Sequence, residues 1–157
     1  MRLATFNVLH GRSLTDGEVD PARLRDAVAG LDADVLGLQE VDRAQPRSGR
    51  HDLTAHAAAA MGGEGRFAPA IMGTPGERWR AARSGDGART DARAYGIALV
   101  SRLPVRRWSV TRLPSAPVRS PVLMPGPARR VIWMRDEPRV LLAAVTTCSG
   151  TATGCPR

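Results

Sequence analysis

Two residues with metal and phosphate chemistry close apolar runs. Asn7 lies near the end of ATFNVLHG, and Glu40 follows the run in DVLGLQEVD. A carboxylate is a hard oxygen ligand suited to Mg²⁺. An amide orients a phosphate oxygen or a second carboxylate without adding charge. Mg²⁺ held by one or two carboxylates plus substrate phosphates is a common arrangement for phosphoryl transfer. If the two runs are neighbouring strands, amide and carboxylate meet beyond the strand ends, where open α/β sheets bind ligands. Taken singly, each has a plainer reading: a Glu after a strand is usually solvated, and an Asn is usually a turn former.

Other groups can be weighed beside them. Arg43 and Arg47 follow Glu40 in EVDRAQPRSGRHD. Near such a site they could grip substrate oxygens through charge-assisted hydrogen bonds; solvated loop arginines are the simpler account. His10 follows the strand of Asn7, and a loop histidine with a local hydrogen bond suffices there. His51 and His56 read as surface residues around a helix. Cys148 and Cys155 have no metal-ligand spacing and no nearby histidine. Trp79, Trp108 and Trp133 do not interleave with a basic patch, so packing accounts for them.

The elements that must position these residues follow from pattern. Residues 2–9 read as a strand closed by His10-Gly11. Asp20-Pro21 starts a helix, with Asp as cap and Pro at the first helical position. Leu24, Val28 and Leu31 give it one apolar face. Residues 34–39 form a nearly continuous apolar strand, as expected when both faces of a sheet are covered. Residues 52–61 read as a second helix, capped by Asp52 and stopped by Gly62-Gly63. A strand is expected over 66–71, and a mobile loop over the Gly-, Arg- and Asp-rich segment 73–94. Strands are expected at 95–101 and 105–113, then a proline-rich connection over 114–127 with neither period. Residues 129–135 and 139–145 read as a hairpin around Asp136-Glu137-Pro138. The order β-α-β-α followed by several strands implies a mixed α/β sheet protein.

Composition narrows the partners. The chain has 157 residues, 43% hydrophobic, which fits one domain with a core. No apolar run is long enough to span a bilayer. The start lacks the features of a signal peptide, so a cytoplasmic protein is expected. The formal charge of +8 invites a nucleic-acid partner. All 23 basic residues are Arg, however, and they are spread along the chain. A GC-rich coding bias explains that pattern better than a dedicated nucleic-acid surface.

Together, LATFNVLHGR, DADVLGLQEVDR and YGIALVSRLPV resemble, in order and spacing, the N-terminal half of the endonuclease/exonuclease/phosphatase superfamily, the deoxyribonuclease-I-like proteins. The resemblance runs from Arg2 to Thr147. It implies an α/β fold: a partial four-layer α/β sandwich, two mixed β-sheets with outer helices, incomplete at the C-terminus. It implies that Asn7 and Glu40 are catalytic and metal-site residues, with Mg²⁺ as cofactor and Mn²⁺ as a substitute. The substrate it implies is a phosphate ester, nucleic acid included. The implied chemistry is in-line attack of an activated water on phosphorus, with Mg²⁺ neutralising developing charge. One departure stands out: Ile97 occupies the position where the family motif has Asn.

The tail departs further. In the family, the strand matched by 140–147 runs into His-Leu, but here Thr146-Thr147 lead to Cys148-Ser149. Later Asp, Asn and His motifs of the family have no counterpart. If Thr-Thr-Cys is written ACC ACC TGC, the shifted frame contains CAC CTG, which encodes His-Leu. The expectation is a domain part over 1–147 and an atypical tail, 148–157, from a frameshift or truncation. Such a chain is expected to be a phosphoesterase or phosphodiesterase family member, inactive and poorly stable alone. The alternative is a non-catalytic basic module that binds nucleic acid or a protein partner.

Overall fold

The computed structural model describes residues 1–124 and 130–147. The first strand, β1, is Leu3–Asn7. Helix α1, Pro21–Leu31, begins where the Asp20 carboxylate accepts the Ala22 amide and Pro21 takes the first helical position. Leu24 and Val28 are its buried residues. The next strand, β2, is Val35–Arg43. Helix α2, Leu53–Met61, is capped by Asp52 on the Ala55 amide and ends at Gly62 in the left-handed conformation.

Strands β3 (Glu64–Gly73), β4 (Trp79–Ala81) and β5 (Ala94–Ser101) complete the main sheet. Its order is β1-β2-β5-β3-β4. Strands β1 and β2 are parallel, with α1 in their crossover, and the other pairs are antiparallel. Leu36, Leu38, Val41, Ala98 and Val100 pack with Leu24, Val28, Leu53, Ala57 and Met61 in one core. The opposite face is only partly covered. Along β2, Leu36 and Leu38 are buried while Val35, Gly37 and Gln39 between them are half-buried. Its apolar run therefore has one fully covered face, where two were expected.

Gly96 is a required glycine. A Cβ there would stand 2.2 Å from the Ala68 carbonyl oxygen and 2.9 Å from the Ala70 nitrogen. The close approach of β3 and β5 depends on it.

A second sheet pairs β6 (Val105–Leu113) with β9 (Arg139–Thr146) and packs against β3 and β5. Its Leu141 and Val145 point outward and are exposed. A hairpin of β7 (Arg119–Met124) and β8 (Arg130–Arg135) leaves the end of this sheet. This corrects two expectations. The proline-rich connection contains a strand, and the 129–135 segment does not pair with 139–145. The β6–β9 ladder closes at Leu113 opposite Arg139, so the 114–138 segment is an excursion from one hairpin turn. Asp136 ties its base, accepting the Ala116 amide and two hydrogen bonds from Arg139.

The segment 73–94 is also more ordered than a mobile loop. It holds β4 and a 3₁₀ turn at Asp86–Ala88. Asp86 accepts two hydrogen bonds from Arg80 and one from the Arg83 amide. Arg112 of β6 donates to the Ala82 and Arg83 carbonyls. Arg80 from within the segment and Arg112 from outside it are cross-links of a stretch that reads as a loop. The atypical tail, 148–157, lies outside the described residues, and both cysteines with it.

Candidate functional site

The parallel pairing of β1 and β2 sets Asn7 opposite Gln39. Beyond that point β2 leaves regular register. Its pairing with β5 shifts between Leu38 and Val41, and Glu40 adopts φ +56°. A bulge of this kind re-aims a side chain. Here it turns Glu40 toward the end of β1, where Asn7 Nδ2 donates to Glu40 Oε1 at 2.8 Å. The other end of the amide is fixed as well, because Asn7 Oδ1 accepts the Leu9 amide at 2.9 Å.

The turn after β1 is tight. Leu9 and His10 have φ values of +43° and +48°. With Glu40, three non-glycine residues near one strand end hold left-handed backbone. Each such residue costs on the order of 1–3 kcal/mol and persists only where its surroundings fix it. Strain of this kind clusters at functional sites.

Four groups share one electrostatic neighbourhood with Glu40. Asp42 is fully buried and accepts two hydrogen bonds from Arg47, both 2.8 Å, on Nε and Nη2. The Arg47 guanidinium lies 5.5 Å from the centre of the Tyr95 ring, within cation–π range. Burial pushes the Tyr95 hydroxyl up to about 12, with the Glu40 charge adding to the shift. Burial also lowers the pKa of His10, helped by Arg47 and opposed by Asp42 and Glu40. The balance of these effects favours the neutral imidazole.

The structure joins Asn7 and Glu40 directly, and the Glu40 charge acts on His10 and Arg47 without a contact to either. It does not bring in Arg43, which was weighed as a substrate-gripping residue. Arg43 lies inside β2, and only 2% of its surface is exposed. Its Nη groups donate to the Asp86, Gly87 and Arg89 carbonyls, and its guanidinium covers the Phe67 ring at 4.5 Å. It anchors the 86–89 turn and cannot reach a ligand beside Glu40. Arg47 is not the solvated loop arginine of the simpler reading, since Asp42 holds it. His51 and His56 are half-buried and touch each other, Nδ1 to Nε2 at 3.4 Å.

Sequence reasoning passed over Asp42 and Tyr95. An Asp two residues beyond Glu40, with the apolar Val41 between them, was an available signal. Its cross-strand neighbour is Tyr95. Ile97 pairs with Ala68 in the sheet and is half-buried, so it offers no polar group to the site.

As a cation site the arrangement is partial. Among the described residues, no group of three or more His, Cys, Asp or Glu converges as a metal cage. Asp42 is committed to Arg47. Glu40 gives one oxygen to Asn7 and keeps the other. A single oriented carboxylate fits Mg²⁺, which retains several waters and draws further ligands from substrate phosphates. No helix among the described residues is long and apolar enough to cross a membrane.

The family model for the endonuclease/exonuclease/phosphatase family matches residues 4–145. A solved endonuclease/exonuclease/phosphatase structure from Beutenbergia cavernae DSM 12333 is similar, with 20% sequence identity and a TM-score of 0.51. The match covers 96% of this chain and 39% of that one, so this chain spans well under half of that protein's length. At this identity the likeness is one of fold. No curated protein sequence matches the chain.

Proposed function

We propose that this chain, which belongs to the endonuclease/exonuclease/phosphatase family, carries one part of a Mg²⁺-dependent phosphoesterase or phosphodiesterase site. The observation that supports this most directly is the Asn7–Glu40 hydrogen bond at 2.8 Å, formed by a carboxylate on left-handed backbone. Glu40 is the metal carboxylate in this reading. Asn7 orients it, because both ends of the amide are occupied within the protein. When bound, Mg²⁺ supplies charge neutralisation at the phosphoryl oxygens.

The remaining residues bind and position. Arg47 spends Nε and Nη2 on Asp42, and Nη1 is the nitrogen assigned to a phosphate oxygen. The Asp42 contact fixes that guanidinium in place before a ligand arrives. His10, whose surroundings favour the neutral form, is the candidate to accept a proton near the strand end. Tyr95 stays protonated across the physiological range and can only donate or accept as a neutral phenol.

With one free carboxylate at the site and no converging set of further ligands among the described residues, hydrolysis by this chain alone is expected to be negligible. Catalytic groups act as a unit, and an incomplete unit loses orders of magnitude in rate. The test is Mn²⁺ binding followed by electron paramagnetic resonance, with Mg²⁺ as competitor. The expected result is Mn²⁺ binding that Mg²⁺ displaces and that weakens at least tenfold in Glu40→Gln. Equal binding by wild type and variant overturns the metal assignment. Mg²⁺-dependent turnover of a phosphodiester, abolished in Glu40→Ala, overturns the expectation of inactivity. Nucleic-acid binding that survives EDTA and Glu40→Ala, and weakens with salt, supports the basic-module alternative instead.

A further inference from the structure

Past β4 the chain runs back along β3. The Ala82 amide donates to the Ala70 carbonyl, and a Cβ on Gly87 would stand 3.8 Å from the Phe67 carbonyl oxygen. Between this segment, β3 and β6 lies a cavity of about 240 Å³. Arg66 of β3 and Arg112 of β6 line it, with Ser84, Gly85 and Val110. Among the described residues, no acidic side chain lies on its wall. A neighbouring cavity shares Arg66, Phe67 and Gly87 but carries the Asp52 carboxylate.

The groups around the first cavity decide what it can hold. Asp86, in the turn above it, is buried and bound by Arg80 and the Arg83 amide, so its charge is already matched. The carbonyls of the segment are taken up as well. Arg43 binds those of Asp86, Gly87 and Arg89, and Arg112 binds those of Ala82 and Arg83. The second set of bonds fixes the Arg112 guanidinium through Nε and Nη2 and leaves Nη1 for a ligand. Among the described residues, neither Arg66 nor Arg112 forms an ion pair. The mouth is bare backbone at Gly85, where φ is +88° and no atom stands within 4 Å of a Cβ position. Two guanidinium groups without carboxylate partners suit an oxyanion, and the planar fork matches phosphate geometry. The volume lies below the roughly 300–1,000 Å³ of sites for drug-sized molecules. It suits a single phosphate group.

We propose that this cavity binds a phosphoryl oxyanion between Arg66 and Arg112, with the Ser84 hydroxyl as a further donor. Arg112 is the fixed contact, and Arg66, exposed on β3, closes on the ligand from the other wall. The phosphate belongs to a terminal monoester or to a diester; the phosphoryl oxygens are common to both, and the test separates them. The site shares no residue with the Glu40 neighbourhood, so the proposal does not depend on the metal reading.

The test is a titration of the purified chain with inorganic phosphate, read by ¹H–¹⁵N correlation spectra at constant ionic strength. The expected result is a saturable shift of the Gly85 and Gly87 amides and of the Arg112 Nε–H. Arg66→Gln and Ser84→Asp should each raise the dissociation constant at least about fivefold. Both residues are exposed, so the far-ultraviolet circular dichroism should not change. Glu40→Gln should bind phosphate at this cavity as wild type does. Dimethyl phosphate is titrated in parallel. Binding of inorganic phosphate at least about tenfold tighter than the diester supports a terminal phosphate as ligand, and equal binding supports a diester. Absence of a saturable shift at these signals overturns the proposal, as does the same shift with chloride alone or binding that both variants leave intact. Shifts confined to the signals around Glu40 and Arg47 overturn it in favour of that site.

Discussion

Replacing Arg47 with Ala leaves a carboxylate without its partner inside the protein. Asp42 has no exposed surface, and Arg47 supplies two hydrogen bonds to it at 2.8 Å. Removing one partner of a buried pair typically costs about 3–5 kcal/mol, because the other charge stays buried and unmatched. The Arg47 side chain is itself 33% exposed, so water can enter the space it leaves. That places the expected loss near the lower end, about 3 kcal/mol. For a domain of this size the corresponding drop in Tm is about 6–12 °C. Asp42→Asn should cost less, about 1 kcal/mol, since it keeps the shape and lets Arg47 turn to solvent. The double variant should cost clearly less than the sum of the singles, as expected for groups in direct contact. Urea and thermal unfolding of the four proteins measure all these terms. An Arg47→Ala protein within about 0.5 kcal/mol of wild type refutes the reasoning, as does an Asp42→Asn protein less stable than Arg47→Ala.

Two further expectations follow from the same neighbourhood. Tyr95 is the chain's single tyrosine, so an ultraviolet titration of the folded protein reads it directly. The midpoint should lie near 12, against about 10 for a free phenol. Glu40→Gln should bring it only part of the way down, because burial is the larger cause. The sign for stability is fixed by proton binding. Between about pH 10 and 12 the folded chain keeps a proton that the unfolded chain has released, so stability falls as pH rises through that window. A folded-state midpoint at 10 contradicts the burial of Tyr95. Gly96→Ala should cost about 3 kcal/mol or more, since its Cβ would meet backbone atoms of β3 and not a yielding side chain. Hydrogen exchange should show the loss at the β3–β5 ladder first; an unchanged ladder contradicts the close approach.

What the sequence made legible was mostly local. Asp20-Pro21 and Asp52 marked both helix starts because capping is a matter of a few adjacent residues. The segment 105–113 was legible as a strand from its β-branched and aromatic residues between the turn-forming prolines at 104 and 114. Pattern also explains the omission of β7. A strand exposed on both faces and apolar on both carries no period for pattern reading to find. The pairing of β9 with β6, not with β8, is set by a ladder between segments separated by the whole hairpin. Neither strand carries a mark of that choice. Residues 73–94 have the composition of a loop. Only the fold brings Arg43 and Arg112 to its carbonyls and turns that composition into a set of cross-links.

The site divides the same way. That Asn7 and Glu40 meet could be reasoned from two strand ends, given parallel neighbours. Which arginine accompanies them could not, since Arg43 and Arg47 differ only in where β2 stops. Arg43 is still within the strand and faces the 86–89 turn, while Arg47 is past it and returns to Asp42. The charge balance then singles out Glu40. Asp42 is matched by Arg47, whereas Glu40 receives a neutral amide from Asn7. A glycine at residue 40 would hold φ +56° with less strain. A carboxylate there serves no packing need, because the core residues around it are Leu38 and Val41 on the other face. A strained backbone and a neutral amide partner at Glu40 are the two observations on which the proposed cation site rests.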